Sequence, residues 1–291
     1  MKHSSKYVMG ISEQLGEGVR MDIEGTRPAL ESRSAFQEIA VEQTKAFGGL
    51  YRLDGKAMAA EADEFIIHES LAHGVAMDHP DPHRALVLGG GDGASARELL
   101  KHAGIESIVV AELDEEVVKR VRAELPALPD GAFESPRVDL RIGEAAATLA
   151  AAHARGERFD LILFDLTEPD DPACRHLHEA RFLHLCAASL NRGGRIHVQL
   201  GSPFYQGSKV AALYRRLATV FPVILPSLIS VPLYGGPWLL AAATVDNGPA
   251  PSLTVLEQRL ARRNIAPLRY YNPALHLAGR VLPNYVRALL A

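Results

Sequence analysis

One stretch limits the possible folds of this chain more than any other, the run from Ala85 to Lys101. It begins with apolar residues, continues into Gly89, Gly90 and Gly91, and then takes on the pattern of a helix. A buried strand that ends in glycines and opens into a helix brings backbone close to a ligand, because no Cβ atom stands in the way. The stretch therefore predicts a ligand-binding strand–turn–helix unit.

A second apolar run ends in acidic residues about twenty positions further on. Residues 108–111 are apolar and are followed by Glu112, Leu113 and Asp114. In doubly wound folds, a carboxylate at this place binds the hydroxyl pair of a ribose. The two strands together predict a nucleoside site.

Asp92, inside the glycine turn, indicates the charge of that nucleoside. A carboxylate there would repel the pyrophosphate of a dinucleotide. It suits a nucleoside with positive charge, such as an adenosyl sulfonium compound. The sequence therefore favours a ligand of the S-adenosylmethionine type over NAD.

Strands and helices alternate from residue 63 to residue 291, and this alternation predicts the main domain. It requires an α/β fold with a doubly wound, mostly parallel sheet and right-handed crossovers, a Rossmann-like (methyltransferase-like) architecture. The last two apolar runs are predicted to be an antiparallel pair that closes the sheet. Asn191-Arg-Gly-Gly is predicted to be the C-terminal stop of the helix before it. Predicted strands lie at 85–89, 108–112, 138–142, 159–164, 195–200, 223–231 and 238–245, and predicted helices at 63–78, 94–102, 115–124, 144–154, 179–190 and 208–220.

The region before residue 63 has a different pattern. Residues 1–17 are predicted to be weakly ordered, and residues 18–62 contain short alternating runs typical of a small antiparallel β-domain. Asp54-Gly55 between two such runs indicates a hairpin. Because isolated hairpins are marginally stable, this domain should pack on the main domain or on a second copy. We therefore expect a homodimer or homotetramer formed through it.

Composition excludes several classes of partner. The chain has 31 basic and 35 acidic residues and no basic stripe, so nucleic acid is not expected. Residues 1–14 lack the apolar segment of a signal peptide, and no window reaches the length of a membrane span, so we expect a cytoplasmic protein without membrane contact. Cys174 and Cys186 lack metal-ligand spacing. Like Trp238, they are interpreted as packing residues.

Polar side chains follow several predicted strands at the point where each strand ends. Ligands in such sheets bind beyond the carboxyl ends of the strands, so these side chains should surround one crevice. They are Asp92, Glu112 and Asp114, Gly143 with Glu144, Asp165 with Glu168, and Gln199.

These motifs resemble those of the spermidine synthase family, the polyamine aminopropyltransferases. The central ones are Gly-Gly-Gly-Asp-Gly at 89–93, Glu-Leu-Asp at 112–114 and Asp-Leu-Thr-Glu-Pro at 165–169. The resemblance runs in order from about residue 34 to about residue 286. Further matching blocks lie at 36–39, 47–48, 53–55, 63–65, 68–69, 201–204, 231–234, 270–276 and 282–285.

The resemblance implies transfer of an aminopropyl group from decarboxylated S-adenosylmethionine to a small polyamine, putrescine by default, with release of methylthioadenosine. The nucleoside is a co-substrate, and neither a permanently bound cofactor nor a metal is implied. By resemblance, Asp165 is the catalytic base and Asp92 binds the aminopropyl ammonium. The nucleoside is assigned to Gln37, Gly89, Gly91, Glu112, Leu113, Gly143 and Glu144, and the acceptor end to His68, Glu168 and Tyr234.

The sequence departs from the family pattern mainly near the acceptor. Ile67 replaces a tyrosine common in putrescine-using members, and Glu168 replaces an aspartate. The segment 170–177 lacks the usual Gly-Pro pair, which resembles branches that use agmatine or longer polyamines. Agmatine or a triamine therefore stays open as the acceptor. Two other readings also stay open, an S-adenosylmethionine methyltransferase, which Asp92 and Asp165 disfavour, and a polyamine-binding protein without turnover.

Overall fold

The structure, a computed structural model, describes residues 10–167, 169, 171–265 and 268–291. The first part of the chain forms a five-stranded antiparallel sheet in sequential order. The hairpin between its last two strands turns at Asp54 and Gly55, both with positive φ, as the sequence predicted. The strands are β1 (Gly10–Gly16), β2 (Val19–Arg33), β3 (Glu38–Thr44), β4 (Gly48–Leu53) and β5 (Lys56–Ala60).

Strand β1 corrects the prediction that residues 1–17 are weakly ordered. Ile11 pairs with Ile23 of β2, and both side chains are buried in an apolar cluster that also holds Val231 and Leu233. Burial against the second domain therefore stabilises a strand whose sequence alone carries little β signal. Residues 1–9 lie outside the described residues.

The second part forms a seven-stranded sheet in the order β11-β12-β10-β9-β6-β7-β8. All neighbouring pairs are parallel except those of β12, which is antiparallel to both β10 and β11. This confirms the predicted Rossmann-like sheet and its closing antiparallel pair. The strands are β6 (Arg84–Gly89), β7 (Ser107–Glu112), β8 (Val138–Ile142), β9 (Phe159–Asp165), β10 (Leu190–Gly201), β11 (Val223–Val231) and β12 (Gly236–Thr244).

Helices cover both faces of this sheet, so alternate residues of one strand enter different cores. Leu86 and Leu88 of β6 belong to one buried cluster, and Ala85 and Val87 belong to another. The helices are α1 (Glu64–Asp78), α2 (Ala94–Leu100), α3 (Glu115–Glu124), α4 (Ala145–Ala154), α5 (Ala180–Ala188), α6 (Gly207–Ala218), α7 (Leu253–Arg262), α8 (Pro273–Ala278) and α9 (Asn284–Leu290). Within the described ranges, none of these helices has the length and apolar character needed to cross a bilayer.

One predicted helix end is wrong. Helix α5 was expected to reach residue 190, with the following Gly-Gly as its stop, but it ends at Ala188 and β10 already begins at Leu190. Leu190 pairs with Phe159, and the register shifts before Arg195. The glycines therefore accommodate an irregularity within a strand and do not cap a helix.

The N-terminal sheet packs on the α/β domain beside the carboxyl ends of its strands. Val41 and Tyr51 form a buried cluster with Val117 and Val121 of α3. This packing places β1, β3 and β4 against the predicted nucleoside-binding edge, so residues from both sheets can contribute to one site.

Candidate active site

A cleft lies between the N-terminal sheet and the carboxyl ends of the parallel strands. Its empty volume is about 1370 Å³, including the open mouth. Gly143 borders a shallower groove beside it, and Glu168 lies outside the described residues. The other predicted site residues all line the cleft, namely Gln37, His68, Gly89, Gly91, Asp92, Glu112, Leu113, Glu144, Asp165 and Tyr234.

Two glycines of the predicted turn are required by close contacts. Gly89 has φ +75°, and a Cβ atom there would lie 2.2 Å from the Asp165 carbonyl oxygen. A Cβ atom on Gly91 would lie 2.8 Å from Glu112 Oε2. The turn therefore brings the ends of β6, β7 and β9 together in a way that only glycine permits.

Glu112, predicted to bind a ribose, lies at the end of β7. Its Oε1 accepts a hydrogen bond from Asp114 N at 2.9 Å. Burial raises the pKa of Glu112 to about 7, and the charges of Asp114 and Asp92 act in the same direction. Hydroxyl donors of a ligand would stabilise the ionised form of this carboxylate.

Gln37 reaches the same end of the cleft from the loop before β3. Its Nε2 donates to Asp114 Oδ2 at 2.9 Å, while Asp114 Oδ1 accepts from Glu116 N at the start of α3. Asp114 therefore fixes Gln37 against the helix. The strand-end pattern picked out Asp114, but this linking function depends on the packing of two domains.

Glu144, predicted to bind the adenine amino group, also caps helix α4. Its two oxygens accept from Ala146 N at 2.8 Å and Ala147 N at 2.6 Å. Oε1 also contacts His176 Nε2 at 2.9 Å, which connects the helix start to the segment after β9. Partial burial raises the pKa of Glu144, but these hydrogen bonds outweigh it and keep the pKa below its ordinary value.

Asp92 is buried and surrounded by donors. Its Oδ1 accepts from Ala94 N at 2.9 Å, and its Oδ2 accepts from the Tyr51 hydroxyl at 3.0 Å and lies 3.5 Å from His68 Nε2. Burial alone would raise the pKa of Asp92, but the His68 charge and these hydrogen bonds hold it at about 2. Asp92 is therefore a permanent anion in the cleft.

Asp165, at the end of β9, has the opposite character. Its Oδ2 is buried and has no hydrogen-bond partner among the residues that the structure describes. Burial raises the pKa of Asp165 to about 6; the charge of Asp92 adds to this effect, and the charge of His68 opposes it. A carboxylate with this pKa and a free oxygen can accept a proton from a ligand near neutral pH.

His68, Asp92 and Asp165 form a group that we call the central cluster. One nitrogen or oxygen atom from each of the three lies within 4.8 Å of the other two. His68 Nδ1 also contacts Glu64 Oε2 at 2.8 Å. The predictions for Asp92 and Asp165 rested on strand ends, whereas His68 comes from α1 and lies directly against Asp92.

The side of the cleft that the resemblance assigns to the acceptor has aromatic walls. The Tyr234 hydroxyl donates to the Met58 carbonyl oxygen at 2.7 Å, and its ring centroid lies 4.7 Å from that of Trp238. Burial and then the charges of Asp165, Asp63, Asp92 and Glu13 raise the pKa of Tyr234 well above its ordinary value. Tyr234 is therefore a neutral donor surrounded by carboxylates.

Several lining residues were not found from the sequence. Trp238 and Cys174 were interpreted as packing residues, but both line the cleft, whereas Cys186 is fully buried in the core. Glu13 and Tyr51 come from strands of the N-terminal sheet, and no strand-end pattern marks them. Only the packing of that sheet on the second one, which the sequence pattern does not specify, brings them to the site.

The pKa of Asp165 predicts the pH below which kcat/KM falls. Its pKa in the free protein, about 6, lies above the ordinary value, so the group is protonated and unable to act as a base below that pH. With the nucleoside saturating, so that Glu112 with its pKa of about 7 no longer contributes, we expect log kcat/KM for the acceptor to fall with unit slope as the pH drops through about 6. An acid limb near pH 4, the range of an ordinary carboxyl, would contradict this environment for Asp165. The measurement is initial rate against pH.

Comparison with known proteins agrees with this geometry. The spermine/spermidine synthase domain family matches residues 64–251. The polyamine aminopropyltransferase of Nitrosomonas europaea is 38% identical over 262 residues, which cover 90% of this chain and 79% of that protein. The polyamine aminopropyltransferase of a Ruegeria species is 33% identical over 280 residues, covering 96% and 97% of the two chains.

Solved structures show the same architecture over the full length. A spermidine synthase in complex with the transition-state analogue AdoDATO has a TM-score of 0.88 and 29% identity, covering 100% of this chain and 97% of that one. The spermidine synthase of Thermotoga maritima has a TM-score of 0.87 at the same identity and coverage. The matched domain spans most of the chain and contains Asp92, Glu112 and Asp165. The chain therefore belongs to the spermidine synthase family of aminopropyltransferase enzymes.

Proposed function

We propose that the protein transfers the aminopropyl group of decarboxylated S-adenosylmethionine to putrescine and releases methylthioadenosine. The observation that carries this proposal is the pair of buried carboxylates, Asp92 and Asp165, at adjacent strand ends, one permanently ionised and one with a free oxygen and a pKa of about 6. Such a pair suits one cation that must stay charged and another that must lose a proton. A methyltransferase acting on an amine would also need a base such as Asp165, but Asp92 would repel the carboxylate of S-adenosylmethionine.

The nucleoside roles follow the arrangement of the cleft. We assign the ribose hydroxyls to Glu112, the adenine amino group to Glu144, and a nucleoside contact to Gln37. Gly89, Gly91, Leu113 and Gly143 would supply the backbone on which the nucleoside lies. His68 and Tyr234, with Glu168, would border the acceptor.

The chemistry needs a base more than any other group. An alkylammonium has a pKa of about 10.4, so the acceptor arrives protonated and without a lone pair. Asp165 takes one proton from it, and the freed nitrogen attacks the carbon next to the sulfonium. The carbon–sulfur bond breaks, and its electron pair stays on sulfur, which leaves as neutral methylthioadenosine. Because the sulfonium is already a good leaving group, orientation and deprotonation supply most of the catalysis.

Putrescine fits the walls of the acceptor side. The methylene groups of a diamine can pack on Tyr234 and Trp238, and Glu13 of β1 offers a carboxylate for the far ammonium. Ile67 is buried in the apolar cluster shared by the two sheets and is not one of the residues that line the cleft. Agmatine and triamines are the same-class alternatives.

The test is methylthioadenosine release from decarboxylated S-adenosylmethionine, with putrescine, cadaverine, agmatine, spermidine and spermine offered separately. We expect the highest kcat/KM with putrescine. A higher kcat/KM with agmatine or spermidine would support the proposed reaction but identify that amine as the acceptor. All reactions contain EDTA, because the proposal involves no metal and no resident cofactor; loss of activity in EDTA would overturn that part.

The proposal also covers the oligomeric state of the protein and its location in the cell. The N-terminal sheet packs on the α/β domain, and this contact buries part of its apolar surface. We propose that a further face of this sheet joins two or four copies, in a cytoplasmic enzyme whose partner is a small polyamine and not nucleic acid or membrane. A light-scattering mass of one chain at working concentration would contradict the assembly.

A further inference from the structure

The central cluster is compact enough to surround one ammonium. An ammonium donates its N–H bonds to acceptors at about 2.8 Å, so two acceptors of one ammonium lie no more than about 5.6 Å apart. One atom from each of His68, Asp92 and Asp165 lies within 4.8 Å of the other two, and His68 Nε2 lies 3.5 Å from Asp92 Oδ2. All three groups can therefore accept from one ammonium, provided that His68 Nε2 carries no proton.

His68 is a cation in the free protein, as its surroundings show. Its two ring nitrogens contact carboxylates on both sides, Glu64 Oε2 at 2.8 Å and Asp92 Oδ2 at 3.5 Å. Burial lowers the pKa of His68, but Asp92 and the hydrogen bonds to Asp92 and Glu64 outweigh burial and raise it well above its ordinary value. The imidazolium therefore neutralises part of the negative charge of the empty cleft.

Glu64 is itself held by a second cation. Arg97 Nη2 of α2 donates to both Glu64 oxygens, at 3.1 and 2.9 Å, and its Nη1 donates to the Leu128 carbonyl oxygen at 2.6 Å. Burial raises the pKa of Glu64, but His68 and Arg97 outweigh it and lower the pKa. Glu64 therefore stays ionised and keeps the Nδ1 proton of His68 in place.

We propose that His68, held by the positioning residues Glu64 and Arg97, is a built-in counter-ion that gives up its Nε2 proton when the aminopropyl ammonium binds beside Asp92. This inference rests on the proposed donor substrate. The proton passes to the solvent, Nδ1 keeps its proton on Glu64, and the free Nε2 lone pair accepts from the ammonium. One positive charge thus replaces another, and the cleft avoids two adjacent cations.

The charged and titratable groups that face His68 set the sign of this exchange. The incoming donor adds the positive charges of its ammonium and its sulfonium, so binding lowers the affinity of His68 for its proton, and apparent Kd falls as pH rises toward the pKa of free His68. The groups that face His68 are Asp63 just before α1, Glu64 of α1 with Arg97 behind it, Tyr51 of β4, Asp92, Asp165 and Tyr234.

The test is calorimetric binding of decarboxylated S-adenosylmethionine at about pH 8 in buffers of different ionisation enthalpy, without an acceptor. At this pH Asp165 and Glu112, with pKa values of about 6 and about 7, are largely ionised and have little proton to release. We expect about one proton released per site with this ligand. Methylthioadenosine, which lacks both the ammonium and the sulfonium charge, is expected to release almost none.

Variants of His68, Glu64 and Arg97 distinguish a role in positioning the His68 proton from a purely structural role. His68→Gln is expected to abolish the difference between the two ligands. Glu64→Gln and Arg97→Gln are expected to reduce it, because the first removes a carboxylate that favours the His68 proton and the second removes the partner that holds Glu64 against Nδ1. His83→Gln, at a half-exposed histidine paired with Asp81, is the matched control and should behave as the parent. If Glu64 and Arg97 only support the fold, their variants would weaken both ligands equally and keep the difference.

Equal proton release for the two ligands in the parent protein would overturn the proposal. So would an unchanged release in His68→Gln. Either result leaves methylthioadenosine production intact as a separate readout, so failure of this inference is distinguishable from failure of the proposed reaction.

Discussion

Replacing Asp165 by asparagine should lower kcat by about 10²- to 10⁴-fold, the usual contribution of a general base. Asparagine has nearly the same shape, but its amide cannot accept the proton of the acceptor ammonium. Methylthioadenosine carries neither ammonium nor sulfonium charge, so its Kd should change little. The measurements are single-turnover rate and methylthioadenosine binding on the same protein sample.

Asp139→Asn is the matched control for this variant. It removes the same charge from β8, where the side chain is about half exposed and pairs with Arg141. We expect turnover within about twofold of the parent, because surface changes of this kind have small effects. If Asp165→Asn turned over as fast as Asp139→Asn, Asp165 would not be the base. The variant should also lose the acid limb near pH 6.

Replacing Asp92 by asparagine should mainly weaken binding of the donor. Removing one partner of a buried, hydrogen-bonded charge pair costs about 2 kcal/mol or more, which is about 30-fold or more in Kd. Decarboxylated S-adenosylmethionine should lose this affinity, because its ammonium loses the permanent anion beside it. Methylthioadenosine again serves as the internal control, since it has no group at this position.

Asp92→Asn should also reduce discrimination between the two sulfonium nucleosides. Asp92 attracts the free ammonium and repels the carboxylate of S-adenosylmethionine, so the ratio of the two Kd values should move toward one. Parallel titration of both nucleosides measures this ratio. Equal weakening of methylthioadenosine would mean that the variant had disturbed the glycine turn, where Asp92 Oδ1 accepts from Ala94 N.

The α/β part of the fold was predictable because its signals are local. The central parallel strands β6, β7 and β9 are buried on both faces, so they read as continuous apolar runs, and the residues after them mark the ligand edge. Asp92, Glu112 and Asp165 could be found in this way. The same reasoning failed at residues 190–194, because a Gly-Gly pair signals a helix stop and a strand irregularity equally well.

Features that arise between the two domains were not predictable from patterns. Strand β1 has little apolar character, and Ile11 becomes buried only because β11 and its following turn lie against it. Glu13, Tyr51 and Trp238 reach the cleft by the same packing. In the salt-bridge series from Asp92 through His68 and Glu64 to Arg97, only the link between Glu64 and His68 has a local helical spacing, whereas the links to Asp92 and Arg97 depend on tertiary packing.

The central claim is that this cleft transfers an aminopropyl group and not a methyl group. The most direct measurement offers putrescine to the protein with either decarboxylated S-adenosylmethionine or S-adenosylmethionine, and identifies both products by mass spectrometry. The account predicts methylthioadenosine and spermidine from the decarboxylated donor and no product from the other. Methylated putrescine with S-adenosylhomocysteine from S-adenosylmethionine would contradict it.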